Sequence, residues 1–230
     1  MAGPNWAGPN WADDDPAEAP LIAGNCADLL RHLAVTAAQR PPPTLFDVRQ
    51  WHRRIYAGCV PPLACYVGNF RGDARYAELV DYEVGIGTPM PDGLPEKVGV
   101  WARDLQPLLD AFEQGLQRAV AVLDTALPVG QPPATVDELD SVVRLAAEVH
   151  GEWLRLHPFA NGNGRTARVW AASLALRYAL PVFVQLKPRP DDVAYVRAAK
   201  RSMGWPPDFR GHHQEAFAVF AHMLTLSLLP

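Results

Sequence analysis

The chain has 230 residues, enough for one sizeable domain, and its 49% hydrophobic and 20% charged residues exclude a disordered protein. The formal net charge of −4 argues against a general nucleic-acid binder, which usually carries a basic surplus. The sequence contains neither a signal peptide nor a run of about eighteen apolar residues, so we expect a cytoplasmic protein without a membrane partner.

The first twenty residues differ in composition from the rest. The unit AGPNW occurs twice and is followed by three aspartates, with prolines among small residues. Such a segment lacks the apolar side chains that form a core. We therefore interpret residues 1–20 as a flexible or loosely docked N-terminal tail and residues 21–230 as a single domain.

Most of the remaining sequence has helical periodicity. Apolar spacing predicts helices over residues 22–39, 44–57, 99–126, 190–203 and 213–229. Thr135 and Glu138 form a capping box that predicts the start of another helix, which runs through Trp153. A further helix is predicted from about Arg165 to Ala179, and VFVQL at 182–186 is compatible with either a short strand or a buried run. Glycine and proline are frequent in residues 83–98, which predicts a short irregular β-hairpin or an extended loop.

The stretch LHPFANGNGRTARVW, residues 156–170, combines residue types that bind anions. Gly162, Asn163 and Gly164 lie at the start of a predicted helix, where unpaired N–H groups and the helix dipole favour an anion. Arg165 and Arg168 are one helical turn apart, so both side chains can face the same phosphate. The pattern predicts a phosphate-binding site.

His157 precedes this site and adds a chemical function. A neutral imidazole beside a phosphate can take a proton from an attacking hydroxyl, which suggests transfer of a phosphorus-centred group to an alcohol. Phe159 is predicted to anchor the loop in the core. The plainer interpretation, a helix end followed by a turn, does not account for so many such residues in one short window. We interpret His52, with Arg53 and Arg54, as an exposed helix face.

The segment HPFANGNGRTAR resembles the signature of the Fic family, HPFx(D/E)GNGRxxR, and departs from it at one position, Asn161. GNFR at 68–71 resembles the G-x-[FY]-R segment found upstream in that family, and residues 84–98 fall where the family has a β-hairpin flap. The resemblance implies a mainly α fold: a Fic-type helical bundle with a small β-hairpin flap ahead of the active-site loop. It also implies transfer of AMP from ATP to a protein hydroxyl of Ser, Thr or Tyr.

The resemblance further implies roles for individual residues. His157 would be the base, Gly162, Asn163 and Gly164 would form the anion hole, and Arg165 and Arg168 would hold the outer phosphates of ATP or another nucleotide donor. The catalytic residues would be His157, Asn163 and Arg165. A protein acceptor would dock on the flap, residues 84–98, and a small-molecule acceptor stays open.

Asn161 stands where the family has the acidic residue that holds Mg²⁺. An amide oxygen can ligate Mg²⁺ but brings no negative charge, so the resemblance leaves both the metal and the donor open. Relatives with altered motifs move phosphocholine, phosphate or UMP. The alternative function is a catalytically weakened Fic fold that acts as a nucleotide- or phosphate-binding module.

Many relatives also carry an inhibitory helix with the pattern [S/T]xxxE[G/N], which this sequence lacks. Either a separate antitoxin-like chain supplies the inhibitory glutamate, or the protein is not restrained in that way.

Overall fold

The computed structural model describes residues 9–11, 14–86 and 96–229. Within these ranges the chain is mainly helical, as the periodicity predicted. The helices are α1 (Ala19–Thr36), α2 (Leu45–Ile55), α3 (Ala77–Val80), α4 (Ala102–Ala126), α5 (Val136–Leu156), α6 (Asn163–Arg177), α7 (Val193–Met203) and α8 (Gln214–Leu228). Two short strands, β1 (Val84–Ile86) and β2 (Glu96–Val98), precede α4. None of the helices in these ranges combines the length and the apolar character needed to cross a membrane.

Side-chain caps define the start of α5, which carries the site at its other end. The Thr135 hydroxyl accepts the Glu138 N–H at 3.2 Å, and the Glu138 carboxylate accepts the Thr135 N–H at 3.0 Å. This confirms the predicted capping box. The same reciprocal arrangement joins Thr44 and Asp47 at the start of α2. Both caps satisfy N–H groups that have no partner inside a helix.

The core is centred on α5 and α6, which make the most extensive contact between any two elements. Trp153 of α5 and Trp170 of α6 are fully buried, with ring centroids 5.7 Å apart. Phe112 of α4 packs against both rings. Alanines follow one another on α6 and let neighbouring helices approach closely, so α6 is buried on most of its faces. The loop that joins α5 to α6 is thereby fixed at both ends.

The two strands pair in an antiparallel register, with Val84 opposite Val98 and Gly85 opposite Lys97. This confirms the β-hairpin interpretation for the ends of the Gly/Pro-rich segment, whereas its Pro-Asp-Gly turn at 91–93 lies outside the described residues. The Val100 N–H donates to the Arg155 carbonyl at 3.1 Å, so the hairpin lies beside the C-terminal end of α5. Residues 182–186, by contrast, form no strand and are irregular.

The N-terminal residues that the structure describes are packed on the domain. Trp11 is only 6% exposed and lies against the rings of Tyr56 and Tyr66, and its N–H donates to the Tyr82 hydroxyl at 3.0 Å. A short 3₁₀ helix over Pro16–Glu18 leads into α1. The pocket for the indole comes from aromatic residues that are distant in sequence, which composition does not show. The domain boundary at residue 20 stays a prediction.

Candidate active site

The loop between α5 and α6 has the backbone shape that its glycines predicted. α5 ends at Leu156, and His157 takes the left-handed conformation with φ 52°. Gly162 has φ 79° and precedes α6; a Cβ there would lie 2.9 Å from the Tyr56 ring. No side chain caps α6 at Gly162, so the first N–H groups of the helix keep their capacity to bind an anion.

Phe159 and Asn163 fix the loop from within. Phe159 is fully buried, which confirms its predicted role as an anchor. The Asn163 side chain accepts the Phe159 N–H and donates to the Phe159 carbonyl, both at 2.8 Å. The Asn163 side chain thus supports the loop, and the backbone N–H of Asn163 lies at the start of α6.

His52 supports the loop from α2. Its ring is fully buried and stacks on Phe159 with centroids 3.9 Å apart. Nδ1 accepts the Gly68 N–H at 3.0 Å, so Nε2 carries the proton and donates to the Asn161 carbonyl at 3.0 Å. The interpretation of His52 as part of an exposed helix face was wrong. Its spacing from Val48 and Ile55, both buried, could have revealed the inward orientation.

Arg71, in the GNFR segment, holds the backbone around His157. Its side chain is inaccessible to solvent and donates to the His157 carbonyl at 2.8 Å, the Leu156 carbonyl at 3.2 Å and the Val100 carbonyl at 3.0 Å. It also donates to the Tyr82 carbonyl at 3.1 Å and forms an ion pair with Glu83 at 2.9 Å. One guanidinium therefore joins the end of α5 to the base of the hairpin.

The His157 imidazole is in the form that a general base requires. Nδ1 lies 3.1 Å from the Leu154 carbonyl, which can only accept, so Nδ1 carries the proton and Nε2 the lone pair. Burial, together with the cations of Arg71 and Lys97, lowers the pKa of His157 to about 3. The ring is therefore neutral throughout the neutral pH range.

His157 lines a cavity of about 200 Å³ that is rich in positive charge. We call it the cationic cavity. Its walls are the loop from Ala160 to Gly164, Val84 of the hairpin, and four cationic side chains: Arg165, Arg168, Lys187 and Arg189. The structure thus brings the predicted residues His157, Asn161, Gly162, Asn163, Gly164, Arg165 and Arg168 together around one space.

The two motif arginines have different surroundings. Arg168 is buried; it donates to the Tyr195 hydroxyl at 3.1 Å and to the Leu186 carbonyl at 2.8 Å, and its Nε is buried without a partner among the described residues. Arg165 is bound to the Tyr56 hydroxyl and to the carboxylate of Asp14. Their predicted contacts with outer phosphates stay predictions.

A second cavity of about 260 Å³ adjoins the first. We call it the apolar cavity. His157, Gly164, Arg168 and Arg189 line both spaces, whereas Leu154, Val196, Ala199 and Met203 line only the second. A site with one charged and one apolar compartment suits a ligand that has a phosphate at one end and a flat or apolar group at the other.

Asp14 enters the site from the N-terminal segment. Its carboxylate is bound by Arg165, lies 3.4 Å from the Lys187 ammonium, and accepts from the Asn161 amide at 3.1 Å and the Tyr56 hydroxyl at 3.3 Å. Burial would raise the pKa of Asp14, but the bond to Arg165 and the charges of Arg165 and Lys187 outweigh it and hold the pKa below its usual value. Asp14 is thus ionised at neutral pH.

The residues around position 161 do not fit Mg²⁺. The Asn161 amide oxygen accepts the Gly162 N–H at 2.6 Å, and the Asp14 carboxylate is already neutralised by two cations. In the described ranges, no three His, Cys, Asp or Glu side chains are grouped to hold a metal ion. Mg²⁺ is usually held by carboxylates and phosphate oxygens, whereas fixed cations surround this position.

Sequence reasoning missed Asp14, Tyr56, Lys187 and Arg189 as residues of the site. Asp14 is one of three consecutive aspartates, and nothing in the sequence distinguishes the one that docks. Lys187 and Arg189 belong to the KPRP segment, which follows the apolar run at 182–186. Two cations directly after a buried segment were a signal in the sequence that could have indicated these two residues as part of the site.

A mainly helical bundle with a short hairpin beside a His–Gly–Asn–Gly–Arg loop defines the Fic class of proteins. The model of the Fic/DOC family matches residues 42–175, more than half of the chain, and this chain therefore belongs to that family. The fold is accordingly the predicted Fic-type bundle.

Individual relatives agree with this assignment. Protein adenylyltransferase Fic from Aedes aegypti is 29% identical over 157 residues, 68% of this chain and 24% of the relative, so the chain spans about a quarter of that relative's length. A Fic-domain signalling protein from Bacteroides thetaiotaomicron has the same fold, with a TM-score of 0.56 at 18% identity over 89% of this chain and 69% of that one. BepC from Bartonella tribocorum, solved with AMPPNP, gives a TM-score of 0.53 at 16% identity over 91% and 87% of the two chains.

Proposed function

We propose that this protein is a Fic-type transferase that moves AMP, or another phosphate-bearing group, from a nucleotide to a hydroxyl of a protein side chain. The observation that carries the proposal is the His157 imidazole, neutral and with its lone pair on Nε2, at the junction of the cationic and apolar cavities. Membership of the family and the similarity to an adenylyltransferase support the proposal.

The two cavities suit the two ends of a nucleotide. Phosphates would lie in the cationic cavity, against the N–H groups at the start of α6 and the side chains of Arg165, Lys187 and Arg189. The base would lie in the apolar cavity beside Leu154 and Met203.

The chain's own groups can then perform the transfer. Nε2 of His157 would take the proton of the acceptor hydroxyl as its oxygen forms a bond to the α-phosphorus. The bond from that phosphorus to the bridging oxygen breaks, and pyrophosphate leaves with the electron pair, stabilised by the cationic side chains. Arg71 would act indirectly, by holding the His157 backbone in position.

The acceptor is proposed to dock along the hairpin, residues 84–98. β1 and β2 form a two-stranded sheet, and an extended segment of another protein can add to the edge of such a sheet through main-chain hydrogen bonds. Val84 lines the cationic cavity, so a docked segment would pass close to it.

The test is to incubate a cell lysate with the protein and each of several nucleotide donors and to detect adducts by mass spectrometry. His157→Ala should abolish the adducts, a loss on the order of 100- to 10,000-fold in rate for removal of a general base, with little change in donor affinity. His157→Ala with undiminished transfer would contradict the assigned role.

A second candidate function is a nucleotide- or phosphate-binding module without catalysis. The observation that favours it is the Asp14 carboxylate on Arg165, which an incoming phosphate must displace. In that case wild type and His157→Ala would bind a donor equally and neither would form an adduct.

A further inference from the structure

A carboxylate of the chain is already bound to two of the cations that line the cationic cavity, Arg165 and Lys187. Four polar groups from four segments converge on Asp14: the hydroxyl of Tyr56 at the end of α2, the amide of Asn161 in the loop, Arg165 of α6, and Lys187. The Asp14 side chain is only 11% exposed. This is the geometry of an anion-binding site, observed with an anion in place.

The charges around Asp14 do not resemble those of a divalent cation site. The Lys187 ammonium is 3.4 Å and the Asn161 amide 3.1 Å from the Asp14 carboxylate, so this one carboxylate group bridges the ammonium and the Asn161 side chain. A divalent ion placed there would be repelled by Lys187 and Arg165, and Asn161 would offer it no charge in return. Fixed cations, by contrast, can neutralise a phosphate directly.

Building on the proposed function, we propose that Lys187 is a ligand-binding residue which, with Arg165, supplies the positive charge that a divalent cation would otherwise bring to the phosphate. The site would then bind its phosphate ligand without metal, through the cations that the Asp14 carboxylate holds at rest.

The resting contact of Asp14 has a direct consequence for binding. A phosphate oxygen and the Asp14 carboxylate compete for the same donors on Arg165 and Lys187, and the two anions repel each other when both are present. Removal of the Asp14 charge should therefore tighten phosphate binding, whereas removal of the Lys187 charge should weaken it.

Inorganic pyrophosphate is the suitable probe, because it carries the phosphate chemistry without a nucleoside. We would titrate it onto the full chain by isothermal titration calorimetry, first in EDTA and then in excess Mg²⁺. We expect wild type to bind pyrophosphate in EDTA at least as tightly as it does in Mg²⁺. A hydrogen bond to a charged group contributes about 1.5–3 kcal/mol, so Lys187→Met should weaken binding by roughly tenfold or more.

Three further variants control this result. Lys187→Arg keeps the charge and should retain most of the affinity. Asp14→Asn should bind several-fold more tightly than wild type. Arg31→Met removes an exposed cation of α1 that lines neither cavity and should leave the Kd unchanged. Circular dichroism of each variant checks that it is folded.

Two outcomes would overturn the proposal. One is binding that disappears in EDTA and returns with Mg²⁺ while Lys187→Met behaves as wild type, since the metal would then supply the charge. The other is the absence of pyrophosphate binding in EDTA by both wild type and Asp14→Asn. Neither depends on transfer to an acceptor, so failure of the proposed transferase activity in the lysate assay would be a separate result.

Discussion

At the scale of single residues, the site depends on side chains that hold other groups in place. Arg71 fixes the carbonyl of His157, and His52 fixes the carbonyl of Asn161. Neither residue lines the cationic cavity. The loop takes its shape from such supporting contacts, because a loop by itself has little to restrain it.

Asn163 allows a test of this idea. Asn163→Ala leaves the N–H and carbonyl of Phe159 without their buried partners, which should lower the free energy of unfolding by about 1–3 kcal/mol. Urea denaturation measures the change.

The matched control is Asn25→Ala. Asn25 also donates to two carbonyls, those of Ile55 and Ala57, but in a partly exposed place where water can replace it. Asn25→Ala should therefore lower the free energy of unfolding by less than Asn163→Ala does. An equal or greater loss at Asn25 would show that Asn163 does not support the loop.

At the scale of elements, the N-terminal segment acts as a unit with the site. Trp11 packs among Tyr56, Tyr66 and His52, and three residues later Asp14 reaches Arg165. Tyr56 contacts both Trp11 and Asp14, so the aromatic anchor and the ion pair share one supporting ring. Anchoring the indole keeps the Asp14 carboxylate at a high local concentration beside its cations.

We expect Trp11→Ala to loosen this segment and to raise the affinity for pyrophosphate several-fold, toward the value of Asp14→Asn. Calorimetric titration in EDTA gives the affinity, and Trp205→Ala is the control, because Trp205 is 47% exposed and lines neither cavity. An unchanged Kd for Trp11→Ala would mean that Asp14 docks without the indole.

At the scale of the whole molecule, buried neutral histidines couple stability to pH. Burial is the main cause that lowers the pKa of His52, His150 and His157, each to about 3, from an ordinary value of 6.5. Between these two values the unfolded chain binds protons that the folded chain does not. The free energy of unfolding should therefore decrease as pH falls from about 6.5 toward 3.

Urea denaturation between pH 7 and pH 4 tests this expectation. Each histidine contributes up to about 1.4 kcal/mol per pH unit to the slope. Glu152 adds to the effect below about pH 4.5. Its bonds to Arg155 and His213 outweigh burial and lower its pKa from 4.5 to about 2, so the unfolded chain takes up this proton before the folded chain does. His150→Gln removes one of these imidazoles, so the free energy of unfolding should depend less steeply on pH, by the contribution of one bound proton. A free energy of unfolding that stays constant down to pH 4 would contradict the account.

The sequence alone was sufficient for the helices and for most of the loop. Apolar spacing and the capping box at Thr135 depend only on residues a few positions apart, so α1, α2, α4, α5, α6, α7 and α8 were predictable to within a few residues at each end. α3 was not predicted, since four residues are too few to show a period. The roles of His157, Arg165 and Arg168 in transfer stay predictions.

Only the tertiary structure decided which side chains meet the loop from elsewhere in the chain. Asp14 reaches Arg165 across 151 positions, and Lys187 reaches Asp14 across 173. Periodicity and motifs describe local order and carry no information on such distances, whereas an ion pair depends only on where the folded core places its members. The sequence thus determined the family, the helices and the glycine-containing loop, and the folded core decided which charges that loop faces.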